Sequence, residues 1–234
     1  MMRVGARILV LLSLVLGLTA ASCGGEDAAS DETTTTAPTR EAAPTETSAA
    51  SGKCETAKAP DAKPDGGQTP PEDALETDTT YLLKIETNCG SFTIDLDQQK
   101  APETAASLVA LARDGFFDGT IFHRVVPGFV IQGGDPTGTG TGGPGYQTVD
   151  PPPANATYTK GVVAMAKAGF EAPGTAGSQF FVVTGADVGL PAEYAIVGKI
   201  TDGIESVTAI DRLGIQDGPP SKPVVIERVT VEEG

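Results

Sequence analysis

The chain has 234 residues, which is enough for one substantial domain with extensions but not for two domains of ordinary size. Its 31 acidic residues outweigh 16 basic ones and give a formal net charge of −15 at pH 7. This balance argues against nucleic acid as a partner, because nucleic-acid phosphates would be repelled.

The first segment, residues 1–22, has the pattern of a signal peptide. Two arginines precede ILVLLSLVLGLTAAS, whose 15 residues are short of the ~20 that a membrane-spanning helix needs. Cys23 follows small residues and resembles the lipid-attachment site of bacterial lipoproteins, although Ala20 replaces the usual aliphatic residue. We expect Cys23 to carry lipid (palmitate) and to hold the chain on the extracytoplasmic face of the cell membrane. Plain secretion and an uncleaved anchor are the alternatives.

Residues 23–77 are low in complexity and contain almost no large apolar side chain before Leu75. Such a segment cannot bury enough surface to offset the entropy that is lost on ordering. We therefore expect a disordered tether, followed by one domain over residues 78–234. A small folded subdomain is the alternative, but this segment lacks the apolar residues for a core.

A β-hairpin is predicted where the composition changes at Tyr81. The stretch YLLKIETNCGSFTIDLDQ alternates apolar and polar residues, and TNCG supplies turn residues between the two runs. The next stretch, APETAASLVALARDG, predicts an amphipathic helix, with Pro102 at its first position and Gly115 beyond its end.

Short apolar runs follow, and TDGIESVTAIDRLG predicts a second helix. Asp202 and Glu205 form a variant of the capping box at its start, and Gly214 ends it. The closing stretch KPVVIERVTVEE predicts a last strand. This order of elements predicts a mainly β domain, in which a mostly antiparallel sheet closes into a barrel with two helices.

The stretch FHRVVPGFVIQGGD sets an arginine among apolar residues, where charge is expensive unless it is paired or has a task. VPGF indicates a type II turn, with proline second and glycine third. The strands on either side then present Arg124 and Gln132. The residues alone leave two interpretations equally open: an arginine held by an amide beside an exposed phenylalanine, or an interior arginine paired with a carboxylate.

This stretch resembles the signature of the cyclophilin family of peptidyl-prolyl cis/trans isomerases. GVVAMAKAG, GSQFFVVT, AIVGKITDGIESVTAI and KPVVIERVTV are similar to further cyclophilin blocks and follow in family order. The resemblance covers residues 81–233, and several ordered blocks are far more specific than one short pattern. It implies a closed eight-stranded antiparallel barrel capped by two α-helices, with the substrate groove on the outer wall.

The resemblance also implies roles for individual residues. Arg124 is the implied catalytic arginine, and Gln132 is the amide that steadies it. Phe129, Val130 and Phe181 line the implied proline pocket. The remaining implied substrate-binding residues are Leu190 and Tyr194 at the pocket rim, Ala166, Lys167 and Gln179 along the groove, and His123 beside the site.

The implied activity is rotation about X–Pro bonds, without a cofactor or a metal, and the signal segment predicts exported proteins as its substrates. Amide resonance sets a barrier of ~18–20 kcal/mol to this rotation. The proline nitrogen recovers a lone pair only in the twisted transition state, so a hydrogen bond from arginine to it favours that state. The expected partners are proline-containing polypeptides, and the chain is expected to be a monomer. A cyclophilin-like module that holds proline segments with little turnover is the alternative.

Several positions depart from the residues common in the family. Gly189 stands where many members have tryptophan, and Tyr194 where many have histidine. Val130 and Lys167 replace a common methionine and a common asparagine. These changes put cyclosporin affinity in doubt but leave the arginine–phenylalanine–glutamine set intact. A solute-binding lipoprotein, as a third class, would need a larger two-lobed domain.

His123 is the only histidine of the chain. Because the isomerisation transfers no proton, we expect a structural, hydrogen-bonded imidazole rather than a general base. The nearby GGDPTGTGTGGPG does not lead into a helix, so we expect a flexible groove-side loop rather than a phosphate cradle. A calcium loop from Asp135 would lack sufficient acidic ligands.

Two cysteines remain once Cys23 is lipidated, namely Cys54 and Cys89. Outside the cytoplasm, such a pair favours a disulfide, which would pin the end of the tether to the turn of the first hairpin. Two free thiols are the alternative.

Overall fold

The computed structural model describes residues 53–234, so the signal segment and Cys23 lie outside the described residues. No helix within residues 53–234 has the length and apolar character needed to cross a membrane. The helices are α1 (Pro102–Arg113) and α2 (Ile204–Asp211). The strands are β1 (Tyr81–Thr87), β2 (Gly90–Leu96), β3 (Thr120–Ile121), β4 (Arg124–Val126), β5 (Val130–Gly133), β6 (Thr148–Val149), β7 (Val162–Met165), β8 (Thr175–Ala176), β9 (Phe180–Val183), β10 (Ile196–Asp202) and β11 (Val225–Glu233).

The first hairpin and the first helix are confirmed. β1 and β2 pair antiparallel, with Leu83 opposite Ile94 and Ile85 opposite Phe92. All four side chains are buried, as the alternating pattern requires. α1 begins at the predicted proline and ends at Arg113, before the turn at Gly115.

The second helix forms, but its predicted capping box is wrong. Gly203, in the left-handed region at φ 75°, is the residue before α2, and no side chain caps the helix start. Asp202 cannot serve as the cap because it is the last residue of β10 and pairs with Thr93 of β2. Sheet pairing therefore overrides the local capping signal, and the helix starts one residue after a glycine turn.

Within the described residues, nine strands form one antiparallel sheet in the order β3-β11-β1-β2-β10-β7-β9-β5-β4, and β6 pairs with β8 separately. The predicted closed eight-stranded barrel is therefore wrong in strand number and in closure, since the edge strands β3 and β4 do not pair with each other. Only Phe122 and His123 separate the two edges along the chain. The edge at β4 is covered by another segment, because the Val125 N–H donates to the Gly218 carbonyl at 2.8 Å.

The strands near the middle of the chain are buried on both faces. Along β9, Phe180 and Val182 belong to the interior core, whereas Phe181 and Val183 belong to a second apolar cluster. In β5, Ile131 likewise faces the interior core and Val130 the second cluster. Since side chains alternate across a strand, this second cluster lies on the opposite face of the sheet from the core. It marks the face on which the candidate site is built.

Residues 53–77 form an ordered strap without helix or strand, so the predicted disordered tether is wrong for this part of residues 23–77. The backbone N–H groups of Lys63, Gly66 and Gln68 donate to carbonyls of residues 136, 143 and 144 at 2.8–2.9 Å. Leu75 packs against the core of the domain. The strap needs no core of its own, because it uses hydrogen bonds and apolar surface that the domain supplies.

The strap is also bonded to the domain near its first described residue. Cys54 and Cys89 form a disulfide in the structure. Beside it, the Glu55 N–H donates to the Asn88 carbonyl, and the Asn88 side-chain amide donates to the Glu55 carbonyl, both at 2.8 Å. The strap therefore begins at the turn between β1 and β2.

Candidate active site

The β4–β5 hairpin positions the centre of the candidate site. Its turn closes with a hydrogen bond from the Phe129 N–H to the Val126 carbonyl at 3.0 Å. Gly128 has φ 68°, which favours glycine, and its N–H donates to the Asp211 carboxylate at 3.0 Å. The turn sequence predicted that the flanking strands carry Arg124 and Gln132, and the register places the two residues directly opposite each other.

The Arg124 guanidinium is held from two sides. Its Nε and Nη2 groups donate to Asp217 Oδ1 at 2.5 Å and to Oδ2 at 3.0 Å. Its Nη1 group donates to Gln132 Oε1 at 3.3 Å. Both interpretations left open by the sequence therefore hold in part: an amide contacts the arginine, and so does a carboxylate, but that carboxylate is 65% exposed.

A line of amide groups continues from the arginine across the sheet. Gln132 Nε2 donates to Gln179 Oε1 at 3.1 Å, and Gln179 Nε2 donates to the Gly142 carbonyl at 2.9 Å. The main-chain carbonyl of Gln179 accepts from the main-chain N–H of Ala166 at 2.9 Å. These bonds fix the orientation of both glutamine amides and bring Gln132, Gln179 and Ala166 to one side of Arg124.

An apolar cluster lies beside the guanidinium. The Phe129 ring is half-buried, and its centroid is 5.9 Å from Arg124 Cζ. Val130 and Phe181 are buried next to it, and Leu190 and Tyr194 pack against them from the rim. Phe181 meets Tyr194 edge-on at a centroid distance of 5.6 Å. The structure thus brings together every residue that the resemblance implied for the pocket and its rim.

Tyr158 also belongs to this cluster, although the sequence analysis did not select it. It is fully buried, and its ring lies 6.0 Å from that of Tyr194 and 6.4 Å from that of Phe181. Its hydroxyl donates to the Tyr194 carbonyl at 2.8 Å and accepts from the Tyr194 N–H at 3.0 Å. Its only sequence signal is an aromatic residue just before an apolar run.

Lys167 lies beside the rim residue Tyr194, but its charged group is buried. Its side chain is 2% exposed, and Nζ is 3.1 Å from Glu193 Oε2 and 3.1 Å from the Glu171 carbonyl. The ammonium also lies 5.6 Å from the Tyr194 ring centroid. Lys167 therefore holds together the two segments that carry Glu171 and Tyr194, rather than presenting a free cation to a ligand.

His123 neighbours the arginine, but the predicted hydrogen bond is absent. Both ring nitrogens are buried, and neither has a hydrogen-bond partner among residues 53–234. Burial lowers the pKa of His123, Arg124 lowers it further, and Asp135 opposes the shift. The ring lies beside the glycine-rich loop, where a Cβ added at Gly140 would come within 3.7 Å of His123 Nε2.

The glycine-rich loop is anchored by its own aspartate, so the expectation of a flexible loop is not met. The buried Asp135 carboxylate accepts from the Thr137 N–H at 2.7 Å, the Gly140 N–H at 2.5 Å and the Gly142 N–H at 3.3 Å. Burial alone would raise the pKa of Asp135, but these bonds outweigh it and leave the pKa lowered. The loop thereby holds the Gly142 carbonyl where Gln179 contacts it.

Two acidic residues of the site were missed from the sequence. Asp217 contacts Arg124, and Asp211 accepts from Gly128 and from the Thr184 hydroxyl, the latter at 2.7 Å. Asp217 lies 93 residues from Arg124 along the chain, and Asp211 lies 83 residues from Gly128. No local pattern signals such contacts, because the fold alone brings these segments together.

Comparison with known proteins identifies the class. Residues 82–231 match the family model described as cyclophilin type peptidyl-prolyl cis-trans isomerase/CLD. The probable peptidyl-prolyl cis-trans isomerase A of Mycobacterium bovis is 40% identical over 172 residues, which cover 65% of this chain and 92% of that protein. The peptidyl-prolyl cis-trans isomerase-like 1 of Gibberella zeae is 36% identical over 160 residues, or 66% and 97% of the two chains.

Solved structures agree with this class. A crystal structure of a cyclophilin type peptidyl-prolyl cis-trans isomerase from Cryptosporidium parvum matches with a TM-score of 0.60 and 32% identity, covering 65% of this chain and 98% of that one. A second structure of that protein, in the presence of the dipeptide Ala-Pro, matches with the same TM-score. The chain therefore belongs to the cyclophilin family. It is a peptidyl-prolyl cis-trans isomerase.

Proposed function

We propose that this isomerase uses Arg124 to stabilise the twisted X–Pro amide, and that its substrates are exported polypeptides. The observation that carries the proposal is the guanidinium held beside Phe129 at the edge of the apolar cluster. A proline ring seated on this cluster would be gripped on one side of the rotating bond. The relative from Cryptosporidium parvum, solved in the presence of Ala-Pro, supports a proline-containing ligand.

The rate effect comes from a difference between ground and transition states. The planar amide nitrogen has no lone pair to offer, but the twisted nitrogen does, so an N–H of Arg124 gains a partner only midway through rotation. The apolar side chains around it lower the local dielectric constant and strengthen this bond. Binding that was equally strong in both states would not accelerate the rotation.

The ion pair with Asp217 leaves donors for this task. A guanidinium has five N–H groups, and Asp217 and Gln132 together use three of them. One N–H remains on Nη1 and one on Nη2. Because the carboxylate is exposed and the arginine is 30% exposed, the pair is not sealed inside the protein. Arg124 can therefore contact Asp217 and a substrate at the same time.

Substitution of the arginine tests the mechanism. We expect Arg124→Ala to lower kcat/KM for an Ala-Pro peptide by about 10⁴-fold, which corresponds to about 5.5 kcal/mol of barrier. The rate is measured by a protease-coupled assay and by exchange NMR. Arg212→Ala, which removes an exposed arginine at the end of α2, should leave the rate unchanged.

Full activity in Arg124→Ala would refute the arginine mechanism. A wild-type protein that binds the peptide without accelerating its rotation would instead favour a module that holds proline segments.

We also propose that the protein acts outside the cytoplasm, with lipid on Cys23. The apolar N-terminal run and the cysteine after small residues support this location. The Cys54–Cys89 disulfide supports it independently, because such bonds persist in oxidising compartments. We expect the mature protein to begin at Cys23 with the mass of attached lipid, and Cys23→Ala to move it from the membrane to the soluble fraction. An unmodified or uncleaved N-terminus in the mass spectrum would contradict this.

A further inference from the structure

The loop that follows α2, residues 214–222, lies along the hairpin that carries the catalytic arginine. Its Gly218 carbonyl accepts from the Val125 N–H at 2.8 Å, next to Arg124 in the chain. Gly214 packs so closely on Pro127 that an added Cβ would lie 2.7 Å from the proline ring. These contacts fix the loop relative to β4, and Asp217 is the loop residue that faces the guanidinium.

Asp217 binds the guanidinium with both carboxylate oxygens. The two bonds, at 2.5 and 3.0 Å, use Nε and Nη2, which lie on one edge of the planar group. Gln132 holds Nη1 on the other side, at 3.3 Å. A planar group that is held at two separate points cannot rotate about its own axis without breaking one of these contacts.

We propose that Asp217 is a positioning residue for catalysis, which fixes the plane of Arg124 so that its free N–H groups meet the proline nitrogen of the twisted amide. This inference rests on the proposed role of Arg124. The lone pair exists only briefly and in one direction, so a donor on a long side chain must already be in place when it forms. Gln132 alone, with a single long bond, leaves that side chain free to swing.

The carboxylate also keeps its charge while it holds the arginine. The hydrogen bonds from Arg124 lower the pKa of Asp217, so the carboxylate stays ionised at neutral pH. Exposed ion pairs contribute little to folding stability, because water screens them and two side chains must be ordered. Removing this pair should therefore change catalysis without changing the thermal unfolding midpoint, which separates the proposal from a purely structural role.

The test compares three full-chain variants at Asp217 with wild type. We expect Asp217→Ala to lower kcat about tenfold with KM nearly unchanged, because only orientation in the transition state is lost. The kcat of Asp217→Asn should lie between those of wild type and Asp217→Ala. Asp217→Glu should keep more of the wild-type kcat than Asp217→Ala does. The Arg124 Nε–H resonance should show an ordered side chain in wild type and a mobile one in Asp217→Ala. Glu86→Gln, which removes a half-buried ion pair with Lys84 on β1, is the matched control and should leave kcat and KM unchanged.

A double variant separates failure of this inference from failure of the arginine mechanism. In an Arg124→Ala background, Asp217→Ala should have no further effect, because Asp217 acts only through the arginine. Unchanged kcat in Asp217→Ala, while Arg124→Ala is inactive, would overturn the positioning role alone. A raised kcat/KM would also overturn it, by showing that the carboxylate competes with substrate. An active Arg124→Ala would overturn the mechanism on which the role depends.

Discussion

His123 lies in an environment that differs from water in burial and in hydrogen bonding. The imidazole is enclosed with both nitrogens unpaired among the described residues, next to Arg124 and near Asp135. A proton on this ring would be poorly solvated, and this cost, together with repulsion from Arg124, outweighs the attraction of Asp135 and lowers the pKa of His123. The folded protein therefore holds His123 neutral at pH values where the unfolded chain is protonated.

This difference predicts a pH dependence of stability. The pKa of His123 is lowered on folding, so the unfolded chain takes up a proton near its ordinary pKa of about 6.5 while the folded chain does not. We expect the free energy of unfolding by urea to fall between pH 7 and pH 5, by at most about 1.4 kcal/mol per pH unit. As the chain has one histidine, His123→Gln should remove this slope. A slope that persists in the variant would assign it to another group.

Tyr158 supports the pocket rim through a single hydroxyl. Tyr158→Phe leaves the Tyr194 N–H and carbonyl without their partner, so we expect a loss of about 1–3 kcal/mol in unfolding free energy and a raised KM. Tyr146→Phe, which removes a 2.9 Å hydroxyl contact to Ser107 away from the site, is the control. It should leave KM unchanged. Equal KM values for the two variants would show that the Tyr194 backbone does not shape the pocket.

Among individual residues, the sequence predicted those whose partners lie close along the chain. The VPGF turn predicted two adjoining strands that carry Arg124 and Gln132, because strands joined by a tight turn pair with each other; their exact register came from the structure. The sequence could not predict Asp217, whose contact with Arg124 spans 93 residues. Nor could it predict the burial of Lys167, which depends on Glu193 in a distant loop.

Among the elements, the strap formed by residues 53–77 is the main departure from expectation. The composition argument considers only the apolar surface that a segment can bury within itself. Lys63 shows what it omits: its ammonium donates to the carbonyls of Gly115, Phe116 and Asp118 at 3.1, 2.6 and 3.1 Å. These carbonyls follow α1 and attract a cation, as the end of a helix does. A low-complexity segment can thus be ordered by a neighbouring surface.

Substitution of this lysine tests the anchoring. We expect Lys63→Met to lower the unfolding free energy by about 1–3 kcal/mol, because three carbonyls lose a charged donor. Amide exchange at Gly66 and Gln68 should become faster. Lys58→Met, on an exposed part of the same strap, should alter neither quantity. Unchanged exchange in Lys63→Met would show that the backbone bonds alone hold the strap.

The disulfide gives a second test at this scale. It joins residues that are 35 positions apart, so its loss should cost about 4 kcal/mol in the chain-entropy model. We expect the Cys54→Ser, Cys89→Ser double variant to show this loss in urea unfolding. The denatured, unreduced mature protein should offer no thiol to an alkylating reagent. Two labelled cysteines would mean that the bond does not form in the isolated protein.

For the whole molecule, the class of fold was predictable and its closure was not. Alternation in the hairpins and the two helical stretches led to an antiparallel sheet with two helices, and the resemblance added the location of the groove. The β4 edge is covered by a backbone hydrogen bond from Val125 to Gly218, which lies outside any strand, and such a bond leaves no trace in side-chain patterning. The short strand β3 is two residues long, below what alternation can reveal.

The position of β11 has a consequence for the order of folding. This strand follows the other described strands along the chain, yet it lies between β1 and β3 and pairs with β1 from Tyr81 to Thr87. Pairing between segments so far apart in sequence is slow, because a long loop must close before the contacts form. We expect chains cut before Val225 to leave β1 as an unpaired outer strand, which invites association with other chains.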